Sequence, residues 1–140
     1  MNVFLDTNIL IDVIENREST IMAKRILQLG KDKKINIFAS YLSYANINYI
    51  KRDVERTLRY NMIRRLRHGV TVLSCNAVQL DTALAHDDVR DSEDLLQYQC
   101  AVAGNCDIIV TNNTKDYHEF CKLPLMTSRD FLLYFFTQQQ

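Results

Sequence analysis

The chain has 140 residues, of which 47% are hydrophobic and 24% charged, and its 17 lysines and arginines balance 17 aspartates and glutamates. This composition excludes a disordered chain and predicts one globular domain, residues 1–140, with a sizeable core. The longest apolar run, 131–136, is too short to span a bilayer. Because the net charge is zero, any polyanionic partner must be recognised by a local cluster of charge.

The four cysteines indicate a cytoplasmic protein. Cys75, Cys100, Cys106 and Cys121 include no C-x-x-C pair, and no histidine lies at zinc-binding spacing from them. The chain begins without the basic segment and cleavage site of a secretory signal. We therefore expect reduced thiols and no membrane association, with a redox or metal role as the alternative.

Five short apolar segments have the length and composition of buried strands: 2–5, 35–39, 70–73, 107–111 and 125–127. Segments with helical spacing of apolar residues separate them: 7–15, 19–29, 42–68 with a break near 51–53, 76–85, 91–104 and 129–136. Strands that alternate with helices predict an α/β fold of three layers, α/β/α, in which helices cover both faces of a Rossmann-like parallel sheet of four to five strands.

Four acids are expected at one edge of this sheet. Asp6 directly follows the first strand, and Asp116 lies in a polar turn, 112–117, after the fourth. Asp91 and Asp94 begin the helix before the fourth strand and share one helical face. Because that helix begins at the edge where the strands end, the four carboxylates can converge there. Each acid also has a local alternative, as a helix cap, a first-turn acid or a turn residue.

Convergence of these acids would favour a site for a divalent cation. Mg²⁺ prefers oxygen ligands, and the cation would offset the repulsion between the carboxylates. Such an ion can lower the pKa of a bound water and stabilise charge on phosphorus oxygens, which favours a phosphodiester substrate. Phosphoryl transfer through an aspartyl phosphate is disfavoured, because Asp6-Thr7-Asn8 lacks the second aspartate of D-x-D phosphatases.

Three segments, in this order and at this spacing, resemble the PIN domain of VapC-type toxins: 3–8, 91–94 and 110–117. The resemblance implies a PIN-like fold over the whole chain and an endoribonuclease that uses Mg²⁺ or Mn²⁺ to hydrolyse RNA. It also implies a homodimer that acts as the toxin of a type II toxin–antitoxin pair and is silenced by an antitoxin protein.

By this resemblance Asp6, Asp94 and Asp116 match the metal-binding and catalytic acids of the family. Supporting positions, as secondary ligands or orienting groups, are implied for Asp91, Asn113, Thr7 and Asn8. Asn46 stands where the family usually has a further acid, a glutamate, and its amide can ligate only through oxygen. This departure motivates an alternative function, a catalytically weak or inactive PIN-like module that binds nucleic acid or a protein.

Two other segments are candidates for contact with partners. Residues 51–67 carry seven positive side chains and two negative ones. Arg52, Arg56 and Arg59 lie off the apolar stripe of this helix and are predicted to contact RNA, with a solvated basic face as the alternative. The last helix is apolar on every side at 131–136, so one face is predicted to pack on the sheet and the other to form a dimer interface or an antitoxin groove.

Overall fold

A five-stranded parallel sheet forms the centre of this computed structural model, which describes residues 1–86, 88 and 92–139. The strands stand in the order β3-β2-β1-β4-β5, and every neighbouring pair is parallel. Their bounds are β1 Asn2–Leu5, β2 Asn36–Ser40, β3 Val70–Leu73, β4 Ile108–Val110 and β5 Leu125–Met126. The register aligns Phe4 of β1 with Phe38 and Ile109, so the three central strands end close to one another.

Helices cover both faces of the sheet, which confirms the predicted α/β fold with a parallel sheet. Within the described residues they are α1 Thr7–Ile14, α2 Thr20–Lys31, α3 Tyr41–Ile50, α4 Arg56–Arg67, α5 Ala77–Leu84, α6 Ser92–Ala103, α7 Thr114–Tyr117 and α8 Ser128–Gln138. Side chains of a strand point alternately to its two faces. Val3 and Leu5 accordingly join one core with α1, α2 and α8, whereas Phe4 joins a second core with α6 and α7.

Three local predictions were wrong. The expected polar turn after β4 contains the short helix α7. The second helix, expected to stop before Gly30, continues to Lys31; Gly30 is a packing position inside it, since a Cβ there would lie 2.5 Å from Ile37 Cδ1. The last helix begins at Ser128, one residue early, and Thr127 caps it by accepting a hydrogen bond from the Asp130 N–H.

The cysteines differ from expectation in one respect. The structure joins Cys75 to Cys100 as a disulfide, with their Cα atoms 5.9 Å apart, whereas four thiols were expected. Cys106 and Cys121 are free thiols. Among the helices that can be described, none has the length and apolar character needed to cross a membrane.

A buried cluster of polar side chains fixes α6 to the end of the sheet. The Gln97 amide nitrogen donates to Thr7 Oγ1 at 3.0 Å and to Ser43 Oγ at 2.9 Å, and its oxygen accepts a hydrogen bond from Ser40. All four side chains are buried, and Thr7 and Ser43 also bond to each other at 2.7 Å. Glutamine suits this position because its amide offers donors and an acceptor together. The cluster therefore holds α6 against the starts of α1 and α3.

We predict that Gln97→Leu lowers the free energy of unfolding by about 2–4 kcal/mol, because it leaves several buried hydroxyl groups without their partners. Gln99→Leu is the matched control on the same helix: Gln99 is partly exposed, and we expect a change within about 0.5 kcal/mol. Urea denaturation of the two variants measures the difference. A Gln97→Leu protein as stable as the control would contradict the role assigned to the cluster.

Candidate active site

Asp6 lies where the strand order of the sheet reverses. The chain leaves β1 towards β2 on one side, while β4 and β5 stand on the other side. Ligands of open α/β sheets bind at such a point, in the crevice outside the carboxyl ends of the strands. The Asp6 N–H donates to the Val110 carbonyl at 3.0 Å, so Asp6 continues the pairing of β1 with β4 up to this crevice. Its side chain is buried, with 4% of the residue exposed.

Hydrogen bonds hold the Asp6 carboxylate in one orientation. Oδ1 accepts from the Thr7 N–H at 2.8 Å, which confirms Asp6 as the N-cap of α1. Oδ2 accepts from the Thr111 hydroxyl at 2.8 Å and from the Asn8 amide at 3.2 Å. Asp6 is thus both the N-cap of α1 and a residue of the crevice at the carboxyl ends of the strands. Thr111 was not predicted to have this role, although its position directly after β4 was the available signal.

Asp94 shares its surroundings with Asp6. Both aspartates are buried, and Tyr117, the last residue of α7, is fully buried in the second core. Burial raises the pKa of the Tyr117 phenol well above its usual value, and the negative charges of Asp6 and Asp94 raise it further. Asp6 and Asp94 are thus two buried carboxylates in the surroundings of the same buried phenol. The structure therefore places Asp6 and Asp94 beside a tyrosine that the sequence analysis did not identify.

Asn46, where an acid was expected, contacts an acid instead. Its amide nitrogen donates to Glu93 Oε1 at 2.6 Å, so α6 supplies a carboxylate beside position 46 of α3. Sequence reasoning missed this contact, because Glu93 in the first turn of α6 also suits the helix dipole. The signal that could have found it is the pair of adjacent acids, Glu93 and Asp94, at the start of that helix.

The other predicted ligands lie differently. Asp116 is exposed on α7, and its N–H donates to the Asn113 carbonyl at 3.0 Å. Asn113 is also exposed, and its N–H donates to Thr111 Oγ1 at 3.1 Å. Asp91 lies outside the described residues. In residues 1–86, 88 and 92–139, no three histidine, cysteine, aspartate or glutamate side chains are grouped so that they could hold a metal ion.

The donor set nevertheless fits a hard cation. Asp6, Asp94, Asn46 and Glu93 offer only oxygen ligands, as Mg²⁺ and Mn²⁺ prefer, whereas zinc sites are built mainly from cysteine and histidine. Protein sites for Mg²⁺ often have one or two carboxylates, with waters and substrate phosphates completing the shell. The pair formed by Asp6 and Asp94 meets that requirement. Their role as metal ligands stays a prediction.

The three predicted RNA contacts lie near the junction of α3 and α4. Arg52 is exposed and stacks on the Tyr49 ring, with its guanidinium carbon 4.2 Å from the ring centre. Arg56 is exposed in the first turn of α4. Arg59 is half-buried, and its guanidinium donates to Asn48 Oδ1 at 2.8 Å and to two main-chain carbonyls. Arg59 thus also joins the two helices.

Solved structures with a similar fold are toxin–antitoxin proteins. VapBC2 from Rickettsia felis, bound to a promoter DNA fragment, matches with a TM-score of 0.70 and 22% identity over 91% of this chain and 98% of that one. VapBC-1 from nontypeable Haemophilus influenzae matches with a TM-score of 0.69 and 23% identity over 92% and 99%. A toxin–antitoxin complex from Klebsiella pneumoniae matches with 0.63 and 18% over 90% and 97%.

The family comparison agrees with the fold. No curated protein matches the chain. The family model of the PIN domain matches residues 2–115, a range that includes Asp6, Asn46 and Asp94 and ends directly before Asp116. The resemblance inferred from three sequence segments is thereby confirmed, and the chain belongs to the PIN domain family.

Proposed function

We propose that this protein is an endoribonuclease that hydrolyses RNA phosphodiester bonds with Mg²⁺ or Mn²⁺. PIN domains are generally nucleases, and the observation that supports the proposal in this chain is the buried pair Asp6 and Asp94 at the point where the strand order reverses. Two neighbouring buried carboxylates are costly in isolation, and a divalent cation with an RNA phosphate would relieve that cost.

Each residue of the site would have a defined part. Asp6 and Asp94 would hold the ion, and Asp116 is proposed as the third acid, with Asp91 and Asn113 in support. When bound, the ion would lower the pKa of a water and stabilise charge on the phosphate. Thr111, Asn8 and the Thr7 N–H would keep the Asp6 carboxylate aimed at it, as hydrogen bonds to ligating carboxylates generally do.

Tyr117 would limit the negative charge of the site. A tyrosine phenol is protonated at neutral pH, and the raised pKa of Tyr117 keeps it protonated at higher pH as well, so it adds no third charge beside Asp6 and Asp94. Its buried ring also helps to exclude water from one side of the carboxylates. Electrostatic interactions are stronger in such a poorly hydrated site than in water.

We predict that Asp94→Asn and Asp6→Asn each lower the rate of single-stranded RNA cleavage with Mg²⁺ or Mn²⁺ by about a hundredfold or more, because each removes a charged ligand. Asp81→Asn, at an exposed position of α5, is the matched control and should cleave at the normal rate. Asp116→Asn tests the third acid in the same assay. Equal rates for wild type and Asp94→Asn would refute the proposed site.

The contact between Asn46 and Glu93 bears on the alternative function. If Glu93 supplies the charge that position 46 lacks, the net charge of the site is preserved although the acid has moved to another helix. If it does not, the chain is a PIN-like module that binds nucleic acid or protein and cleaves weakly or not at all. The two functions predict different effects of the change Asn46→Glu, which places an acid at position 46.

We predict that Glu93→Gln lowers Mn²⁺ affinity, measured by calorimetry, by about 10- to 100-fold, and that adding Asn46→Glu restores it by moving the carboxylate back to α3. Asn46→Glu alone should give little gain, because it places two glutamates in contact. A strong gain in cleavage from Asn46→Glu alone would show that Glu93 does not compensate. Absence of cleavage in every variant would support the binding module.

The groove between α2 and α4 is proposed as the site of an antitoxin-like partner. It measures about 640 Å³ and is lined by apolar side chains that include Leu27, Leu58 and Met62. Lys24, Lys31 and Arg65 stand at its edges, which favours an amphipathic helix with acidic flanks. The Klebsiella pneumoniae structure with this fold is a complex of toxin and antitoxin. In the cytoplasm, binding of such a partner would inhibit the enzyme.

The exposed side of α8 is proposed as the homodimer interface. A second depression, of about 490 Å³, lies between α2 and α8 and is lined by Met22, Leu132, Leu133 and Phe136. Phe131 and Phe135 on the other side of α8 are buried in the core, which confirms that one face of this helix packs on the sheet. Leu133 is 57% exposed, close to the 54% of Leu58 in the other groove.

The two leucines therefore form a matched pair of variants. We predict that Leu58→Glu weakens binding of an antitoxin-like amphipathic helix with acidic flanks by about 2 kcal/mol or more and leaves the dimer intact. Leu133→Glu should dissociate the dimer and preserve partner binding. Titration with the partner and sedimentation measure the two effects. The reverse pattern would assign α8 to the partner.

A further inference from the structure

A third depression, which we name the tyrosine pocket, lies between α3 and α4. It has a volume of about 340 Å³, and its walls include the side chains Tyr41, Tyr44, Asn48, Tyr60, Ile63 and Arg64. Three aromatic rings beside one guanidinium group are an unusual lining for a surface depression. Aromatic faces next to arginine are typical of surfaces on which unpaired bases stack.

The rings differ in how they are held. Tyr44 forms the floor, since it is buried and its hydroxyl donates to the Leu66 carbonyl at 3.0 Å. Tyr41 is 64% exposed and Tyr60 40% exposed, so these two rings remain open to a ligand. The guanidinium carbon of Arg59 lies 5.5 Å from the centre of the Tyr60 ring. The pocket thus has a fixed floor and two accessible aromatic walls.

The charge around the pocket favours a polyanion. Residues 51–67 carry seven positive side chains against two negative ones. Among the described residues, none of the six arginines in this segment has a carboxylate within ion-pair distance. One of the two acids, Glu55, is the N-cap of α4 and accepts hydrogen bonds from the Thr57 and Leu58 N–H groups. The positive charge is therefore largely uncompensated.

The pocket and the acid site lie on two faces of the same helix. Ser43 and Asn46 of α3 contact the buried cluster and Glu93. Tyr41, Tyr44 and Asn48 recur at spacings of three and four on a neighbouring face, which lines the pocket. The two sites are thus separated by about one helix diameter, ~10 Å. A single strand that crosses the start of α3 could reach both.

We propose that the tyrosine pocket binds an unpaired base of the RNA strand whose phosphodiester lies at Asp6 and Asp94. Tyr41 and Tyr60 stack on the base, and Arg64 with Arg52 and Arg56 contacts the phosphates on either side. The inference rests on the proposed ribonuclease function for the position of the cleaved bond. It specifies a single-stranded substrate, because the bases of a duplex are stacked on one another and cannot enter the pocket.

The test measures binding of a short adenosine oligoribonucleotide, about 12 nucleotides, in EDTA, where no metal-dependent cleavage occurs. Tyr60→Leu should weaken binding by about tenfold, and Tyr60→Phe, which keeps the ring, should bind like wild type. Leu80→Ala on α5 is the control for loss of an exposed apolar side chain away from the pocket, because Leu80 is 44% exposed, close to the 40% of Tyr60. This control should bind normally.

Two further ligands separate the contribution of base stacking to RNA binding from the contribution of phosphate charge. An abasic oligomer of the same length keeps the phosphates and lacks the rings, so wild type and Tyr60→Leu should bind it equally. A duplex RNA should likewise not distinguish them. Arg56→Ala and Arg64→Ala should each reduce the slope of log affinity against log salt by about one, whereas Tyr60→Leu should leave that slope unchanged.

Equal binding of the oligoribonucleotide by wild type and Tyr60→Leu would overturn the inference. So would loss of a homodimer in Tyr60→Leu with RNA affinity unchanged, since the pocket would then be an interface between copies of the chain. Cleavage by wild type with Mn²⁺ is measured separately. Base-dependent binding without cleavage would uphold the pocket and refute the ribonuclease, and cleavage without an effect of Tyr60→Leu would do the reverse.

Discussion

The buried amide of Gln97 is the contact on which the geometry of the acid site depends. Asp6 directly follows strand β1, whereas Asp94 lies on α6. The connectivity of the chain alone does not bring the two side chains together. Gln97 follows Asp94 by three residues on that helix and bonds to side chains at the starts of α1 and α3. Because residues three apart share a helical face, fixing the amide also fixes the place of the carboxylate. A leucine in this position could make none of these hydrogen bonds and would not fix the place of the carboxylate.

The site has a cost that the rest of the fold must balance. Burial of Asp6 is offset in part by hydrogen bonds from a main-chain N–H, a hydroxyl and an amide. Those donors reduce the cost of one carboxylate, but they do not remove the repulsion from the other. Under the proposed function, a divalent cation and a phosphate would lower this cost further. The packing of the second core, which contains Tyr117 and Phe4, stabilises the fold against this cost.

Much of the fold was accessible from the sequence because buried strands and amphipathic helices leave periodic patterns. The third strand was predicted with the bounds that the structure has, and Asp6 was placed correctly at a strand end. What failed depends on contacts between distant residues. Gly30 is locally typical of a helix end, but the structure places it inside α2, where the close approach of Ile37 leaves no room for a Cβ. The parts played by Gln97, Thr111, Tyr117 and Glu93 were also missed, since each is defined by a partner far away in the chain.

Although the net charge of the chain is zero, acidic and basic side chains lie on different sides of α3. Acids collect on its side towards α6, and arginines collect on its side towards α4. At physiological salt the Debye length is about 8 Å, which is comparable to the diameter of the helix between the two regions. The attraction of a nucleic acid to the arginines and its repulsion from the acids therefore do not cancel. Under the proposed function, an RNA strand would bind the basic side, and its reacting phosphate would need a divalent cation to approach the acidic side. Asn46 and Glu93 meet on the acidic side of α3, so a charge change at either position would alter the acid site and leave the arginines on the other side in place.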